Sequence, residues 1–162
     1  MVARWSRMAA AALLIGALNA CSPAASNPAA SAAPSVHPAS GLAVVPLTVT
    51  HGRTAHVFRV EIARSGAEQE KGLMFRTAMG ADEGMLFPMD PPRPASFWMR
   101  NTVIPLDIVF IGPDGRISNI AAGARPYDET PLPSTGPTKG VLELIGGRAA
   151  ALGIEPGDRV TW

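Results

Sequence analysis

The sequence predicts a mainly β fold: a compact barrel-like or sandwich domain with two short helices, preceded by a signal peptide and a disordered linker. Short apolar runs with period-two alternation recur along the chain, and turns rich in glycine and proline separate them. The helical segments are only about six residues long, too short for the repeated crossovers of a parallel α/β sheet. These observations together favour strands as the main framework.

Residues 1–20 have the composition of a signal peptide. Arg4 and Arg7 give a positive start, and an uncharged apolar run of about 13 residues follows, too short to span a bilayer. The run ends at Cys21, the only cysteine in the 162-residue chain. The sequence Leu-x-Ala-Cys resembles the bacterial lipoprotein box, so we expect lipidation of Cys21, with plain secretory cleavage near Ala20 as the alternative. An internal disulfide needs a second cysteine.

Residues 21–41 are predicted to be a lipidated cysteine followed by a tether, because they are uncharged and consist largely of proline, alanine and serine. The protein is then expected in the periplasm, bound to a membrane through its lipid anchor. Ser22 after the cysteine favours the outer membrane. Without residues 1–20 the chain has 12 basic and 13 acidic residues, a balance that argues against nucleic acid as a partner. The oligomeric state is not indicated.

The globular β-rich domain is predicted over residues 42–162. A capping box formed by Ser65 and Glu68 opens the first helix, which ends at Gly72. Four prolines within residues 88–94 predict a fixed loop. The remaining elements follow in order: strands at 43–50 and 55–63, a hairpin of 107–111 and 116–121, a long surface excursion at 122–139, a strand at 140–144, a helix at 147–152 and a last strand at 159–162.

The central stretch, residues 96–111, places aromatic, cationic, amide and carboxylate side chains close together. A fold that buries it must pair the polar groups. Such a set lines a binding site for a small polar ligand, a sugar or a carboxylate. Alternatively it is a structural lock, in which an arginine pairs with Asp107 or Glu143 while Asn101 and Thr102 satisfy backbone groups at a turn. The candidate ligand-binding residues are Arg76, Phe97, Trp98, Arg100, Asn101, Thr102, Asp107 and Glu143.

Several short motifs occur in a distinctive order. Together they resemble the Domain of Unknown Function 192 family over about residues 56–162, and the resemblance implies a small compact domain, often exported in bacteria, with no established activity. Arg100 stands where that family more often has lysine, so a planar guanidinium group replaces an ammonium group and the positive charge is kept. The motifs are Gly72-Leu73-Met74-Phe75-Arg76, Gly84-Met85-Leu86-Phe87, Phe97-Trp98-Met99-Arg100-Asn101-Thr102, Ile104-Pro105-Leu106-Asp107, Val141-Leu142-Glu143-Leu144 and Gly157-Asp158.

A small-ligand binding or accessory module is therefore the expected function, with its site around residues 97–107. The sequence lacks a nucleophile elbow, a His-based metal pair and a phosphate-binding glycine loop, so it favours a protein that is not an enzyme and assigns no catalytic residue. One alternative is an uncharacterised hydrolase that uses Asp107 and Glu143, if these lie within about 5–10 Å of each other.

The other alternative is a Cu(I)-handling protein, because thioethers with a histidine suit that soft ion. His51 or His56 would supply the nitrogen ligand. The methionines more readily fill the core, so the sequence predicts no cofactor and no metal ligands. Five of the seven methionines fall in one region: Met74, Met79, Met85, Met89 and Met99.

Overall fold

The structure is a computed structural model that describes residues 35–162. The predicted signal peptide, the lipidation site Cys21 and most of the predicted tether lie outside these residues. The described part contains ten strands and two helices. They are β1 (Ser35–Val36), β2 (Ala43–His51), β3 (Thr54–Ile62), α1 (Gly66–Lys71), β4 (Glu83–Arg93), β5 (Ser96–Phe97), β6 (Leu106–Ile111), β7 (Ile117–Ala124), β8 (Leu132–Pro133), β9 (Thr138–Ile145), α2 (Arg148–Leu152) and β10 (Arg159–Thr161).

The predicted mainly β fold is confirmed. Eight strands form one sheet in the order β1-β2-β3-β4-β9-β6-β7, with β10 pairing with β2, and β5 pairs separately with β8. Strands β3 and β4 are parallel and α1 connects them, whereas their other neighbours in the sheet run antiparallel. An isolated bridge joins Arg116 to Arg159. The two edges of the sheet therefore approach each other without a continuous closing ladder.

The central strands are buried on both faces, because their alternate residues contribute to two separate apolar cores. In β6, Val109 and Ile111 belong to one core, whereas Ile108 and Phe110 belong to the other. The first core also receives residues from β2, β3 and β10, and the second receives the segment between β5 and β6. A strand buried on both sides reads as a continuous apolar run, as residues 108–111 of β6 do.

Helix α1 forms as its sequence predicts. The Ser65 hydroxyl accepts a hydrogen bond from the Glu68 backbone N–H, and the Glu68 carboxylate accepts one from the Ser65 N–H in return. Gly72 ends the helix at a positive φ of 46°, where a Cβ would be strained. Within residues 35–162 neither helix has the length and apolar character required to cross a bilayer.

Three segments differ from the prediction. The proline-rich segment 88–94 is not a loop, because β4 runs to Arg93 with a shift in register between Pro88 and Arg93 that accommodates the prolines. Strand β1 lies inside the predicted tether, where Ser35 and Val36 pair with β2. Residues 122–139, predicted as a long surface loop, contain β8, which pairs with β5.

Candidate functional site

A cavity of about 780 Å³ lies between α1, β4 and the segment that leads from β5 towards β6. Apolar side chains after α1 and on β4 form much of its wall, notably Leu73, Met74, Phe87 and Met89. Six of the eight predicted ligand-binding residues line it: Phe97, Trp98, Arg100, Asn101, Thr102 and Glu143. The structure thus brings together side chains separated by more than 40 positions in the sequence.

The aromatic wall is fixed by edge-to-face packing. The Phe97 ring lies 5.1 Å from the Phe87 ring at an interplanar angle of 82°, and 6.1 Å from the Phe110 ring at 81°. Pairing of β5 with β8 places Phe97 opposite Leu132. Since edge-to-face pairs add stabilisation of about 0.5–1.5 kcal/mol beyond burial, this wall is held in one arrangement.

Trp98 and Arg100 lie at the exposed end of the cavity. The Arg100 guanidinium stacks on the Trp98 ring, 4.6 Å from its centroid. Its Nε donates to Oε1 of Glu129 at 3.4 Å. Trp98 is 47% exposed and the Arg100 side chain 49% exposed. The cation therefore does not pair with Asp107 or Glu143, contrary to the structural lock considered from the sequence.

Asn101 and Thr102 hold the turn after Arg100. Asn101 adopts a positive φ of 54°, a conformation that asparagine tolerates better than most residues. Its carbonyl accepts from the Phe75 N–H at 2.8 Å, and the Thr102 hydroxyl donates to the Arg100 carbonyl at 3.3 Å. The Thr102 carbonyl accepts from the Tyr127 N–H at 3.2 Å. These two residues connect the loops on either side of the cavity as well as lining it.

Glu143 is the buried polar group of the cavity. It is 5% exposed, and its register partners are the apolar Met85 on β4 and Ile108 on β6. Among the residues that the structure describes, no hydrogen-bond partner reaches its buried Oε2. Burial raises the pKa of Glu143 from its ordinary 4.5 to about 8, because an ionised carboxylate loses its hydration there. At neutral pH the group is therefore mainly a neutral acid.

The backbone next to Glu143 is unusually close to β4. A Cβ added to Gly84 would lie 2.5 Å from the Glu143 carbonyl oxygen. A non-glycine residue would therefore push β4 and β9 apart beside Glu143. This contact gives a physical reason for the glycine that opens the Gly84-Met85-Leu86-Phe87 motif.

Helix α1 is tied to the strand that forms the opposite wall. The Gln69 side-chain amide donates to the carbonyl of Ala63 at 3.2 Å and to that of Pro88 at 3.0 Å. Gln69, Lys71 and the residues after the helix line the cavity, but sequence reasoning did not assign them to the site. The Gly72-Leu73-Met74 motif directly follows the helix, so it could have indicated from the sequence that this segment belongs to the site.

Asp107 does not line the cavity. It is fully buried, and its carboxylate accepts hydrogen bonds from the backbone N–H groups of Gly123 at 2.8 Å, Gly147 at 3.0 Å and Ala149 at 2.9 Å. Gly147 has no side chain to cap α2, so Asp107 satisfies the exposed N–H groups at the start of that helix. The structure thus gives the Asp107 carboxylate three backbone partners and places it apart from the other predicted ligand-binding residues in the cavity lining.

The predicted acid/base pair of Asp107 and Glu143 is also not formed. In the β6–β9 ladder Asp107 is opposite Leu144, whereas Glu143 is opposite Ile108. Because residues directly opposite share a face and successive residues alternate, the two carboxyl groups project from opposite faces of the sheet. The hydrolase alternative therefore lacks the pair on which it depended.

Arg76 lies outside this cavity and pairs with a carboxylate that sequence reasoning missed. Its two terminal nitrogens donate to the oxygens of Glu61 at 2.8 and 3.0 Å. Glu61 is 3% exposed, and His37 also approaches it. This bidentate pair joins β3 to the loop after α1. Arg76 is therefore not available to Glu143 or Asp107.

The methionines and histidines fall in separate environments. Met85, Met89 and Met99 are buried in the second core, and Met89 also lines the cavity together with Met74. His51 is bound by Asp158, with Nδ1 and Oδ1 3.0 Å apart. Residues 35–162 contain no cluster of three or more histidine, cysteine, aspartate or glutamate side chains suited to a metal ion.

The fold and the site define a small, mainly β domain with a cavity where a short helix covers one face of the sheet. The chain belongs to the DUF192 family, described as an uncharacterized ACR, which matches residues 47–162. No curated protein matches the chain.

Two solved structures show the same fold. A protein of unknown function from Novosphingobium aromaticivorans DSM 12444 is 62% identical, with a TM-score of 0.79, and the match covers 86% of this chain and 100% of that one. A protein from Sinorhizobium meliloti 1021, proposed to be a transcription regulator, is 39% identical with a TM-score of 0.70, and the match covers 72% of this chain and 91% of that one.

Proposed function

We propose that this protein is a small-ligand binding module that acts in the cell envelope and that its ligand occupies the cavity beside α1. The observation that carries the proposal is the Glu143 carboxyl. It is nearly fully buried, lines the cavity and has an oxygen without a hydrogen-bond partner among the described residues. Buried polar groups in folded proteins are ordinarily satisfied, so an incompletely satisfied carboxyl group on a residue that lines a cavity is suited to a bound molecule.

The rest of the lining supports a ligand with a substantial apolar part. Phe87, Phe97 and Met89 give a wall of rings and a thioether, whereas Asn101 and Arg100 provide polar groups nearer the surface. A mostly apolar recess with a few placed polar groups is the usual form of a small-molecule site. The volume of about 780 Å³ lies within the range of such sites.

The location in the envelope is supported by the N-terminal sequence alone. The positive start, the apolar run and the lipoprotein-type sequence around Cys21 favour export and lipid attachment. Fractionation of cells that express the wild type and Cys21→Ala tests this part. We expect the wild type in the outer-membrane fraction and the variant outside it, and a variant that still reaches the outer membrane would contradict the anchor.

The ligand-binding proposal is tested with a fragment library and tryptophan fluorescence. Residues 35–162 contain two tryptophans, Trp98 and Trp162. In the Trp162→Phe variant, the fluorescence from these residues therefore comes from Trp98. We expect fragments that change this signal and raise the melting temperature, and we expect Trp98→Ala or Glu143→Leu to weaken the melting shift at least fivefold. Trp162→Ala is the matched control, because Trp162 is similarly exposed and also stacks with a cation, Lys139.

The proposal fails if no fragment stabilises the protein, or if the Trp98 and Trp162 variants weaken binding equally. A role in transcription regulation is not carried over from the Sinorhizobium meliloti protein, since the near-neutral charge of this chain gives no basis for contact with DNA.

A second candidate, Cu(I) handling, is favoured by one observation: Met74 and Met89 both line the cavity. Thioethers are soft ligands for that ion. Silver ion, a redox-stable substitute, should then raise the melting temperature of the wild type. Met74→Leu combined with Met89→Leu should abolish that shift, whereas the buried Met99→Leu should keep it.

A further inference from the structure

We propose that the cavity selects small amphiphilic carboxylates: the carboxylate of the ligand lies at the outer rim near Lys71 and Arg100, and a hydroxyl or carbonyl group at its other end meets Glu143. This inference rests on the ligand-binding function proposed above and specifies the chemical class of the ligand. It follows from where the charges of the lining are placed.

Burial separates the lining into an inner and an outer end. Glu143 is 5% exposed, whereas the Arg100 side chain is 49% exposed and Lys71 is also exposed. The two cations therefore lie near solvent and the carboxyl group lies inside. Glu70, on the same helix as Lys71, is the one acidic residue in the exposed part of the lining. Glu129, which lies outside the lining, pairs with Arg100, so the excess of positive charge at the outer end is that of the lining residues alone.

Among residues 35–162, no cationic side chain is paired with Glu143. The Arg76 guanidinium is engaged by Glu61 through two hydrogen bonds, and Arg100 is directed to Glu129 and the Trp98 ring. A buried carboxyl without a counter-ion is most stable as the neutral acid. As an acid it donates a hydrogen bond to an oxygen of the ligand and can accept one in return. The raised pKa of Glu143 agrees with this state.

The same distribution of charges would disfavour a cationic ligand at both ends of the cavity. An ammonium group would pass Lys71 and Arg100 at the rim, where like charges repel it. It would also require Glu143 to lose its proton within an apolar surrounding, at a cost in free energy. The middle of the cavity, lined by Phe87, Phe97 and Met89, suits an apolar body between the two polar ends.

Three ring compounds of similar size test the inference by calorimetry on the purified protein. 4-Hydroxyphenylacetate has both predicted groups, tyramine replaces the carboxylate with an ammonium group, and 4-methylphenylacetate lacks the hydroxyl. We expect 4-hydroxyphenylacetate to bind at least tenfold more tightly than tyramine and severalfold more tightly than 4-methylphenylacetate. The advantage of the hydroxyl should disappear in Glu143→Leu.

Lys71→Glu should remove most of the preference for the carboxylate over tyramine. Lys139→Glu is the matched control, because it makes the same change of charge at a residue outside the cavity lining. Arg100→Gln provides a second rim variant if Lys71→Glu weakens the end of α1. Melting curves of all variants show whether each one is folded.

Tyramine binding as tightly as 4-hydroxyphenylacetate would overturn the inference but leave ligand binding by the cavity intact. Equal effects of Lys71→Glu and Lys139→Glu would do the same, since the preference would then come from overall charge. Failure of all three probes to bind a protein that binds other fragments would also overturn it. If no fragment binds either, the proposed function itself fails.

Discussion

Asp107 and Glu143 lie on paired strands of one sheet, yet their environments are opposite. Asp107 is fully buried and accepts three backbone hydrogen bonds from β7, the residue before α2 and α2 itself. Glu143, one register position away on the facing strand, points to the other side and has an oxygen with no partner among residues 35–162. The fold satisfies the first carboxyl group with three donors, and it leaves Oε2 of the second without one.

The comparison shows that burial alone does not identify a functional carboxyl group. Both side chains are inaccessible, and both occur in apolar motifs of the sequence. The two carboxyl groups differ in the number of hydrogen-bond donors that reach them. The donors to Asp107 are backbone N–H groups from distant segments. The partner count therefore distinguishes a structural carboxylate from a candidate binding group.

The largest expected effect is at Asp107. Asp107→Ala should lower the free energy of unfolding by about 4 kcal/mol, because it leaves three N–H groups, among them the buried one of Ala149, without their acceptor. Asp107→Asn should cost about 2 kcal/mol, since its amide retains only one acceptor oxygen. Urea denaturation measures both. If Asp107→Ala is as stable as the wild type, the structural assignment of this carboxylate is wrong.

The second-largest effect on stability is expected at Glu61, a buried carboxyl group that is paired with the Arg76 cation. Arg76→Met should lower the free energy of unfolding by about 3 kcal/mol, because it leaves the Glu61 charge buried without its partner. Adding Glu61→Gln to that variant should recover more than half of the loss. Denaturation of the two single variants and the double variant measures the coupling; purely additive losses would contradict it.

The pH dependence of stability should distinguish Glu143 directly. Its pKa is about 8 in the folded protein against an ordinary 4.5, so between these values the unfolded chain releases a proton that the folded protein retains. The contribution of Glu143 to stability is therefore complete below about pH 4.5 and is lost as pH rises to about 8.

Glu143→Gln removes this dependence while nearly preserving shape. The difference in free energy of unfolding between the variant and the wild type should therefore increase in favour of the variant from pH 5 to pH 8 and then level off. Denaturation at closely spaced pH values provides the measurement. A difference that does not change with pH would show that Glu143 titrates normally in the folded protein.

The smallest stability effect is expected at the cavity rim. Trp98→Ala should lower the free energy of unfolding by less than about 1 kcal/mol, since the ring is half exposed and its stacked cation, Arg100, is also solvated. The same change should weaken ligand binding at least fivefold. A large loss of stability in thermal melts would show that Trp98 is primarily structural.

Local features were predictable from the sequence, because the interactions that produce them lie close together in the chain. The capping box of Ser65 and Glu68 predicted the bounds of α1, and the turn at residues 112–115 predicted the β6–β7 hairpin. The segment 97–102 also has the composition of a site, and the structure places all of its polar residues and both of its aromatic residues at the cavity.

The failures involve partners from remote segments. Nothing near Asp107 in the sequence indicates that residues 123, 147 and 149 would supply its hydrogen bonds. The pairing of Arg76 with Glu61 depends on the parallel arrangement of β3 and β4, which periodicity does not reveal. The prolines of β4 were read as a loop because sequence patterns do not show where a shift in register will accommodate them.

The two hydrogen bonds of the Gln69 side chain fix the position of α1 beside the cavity. They attach α1 to the backbone on both sides, at Ala63 and at Pro88, so swinging the helix outward would break both at once. On the side of α1 the recess is thus held in place, and a ligand of the proposed kind would not have to move the helix to enter. Its affinity is then free of any cost for rearranging that wall.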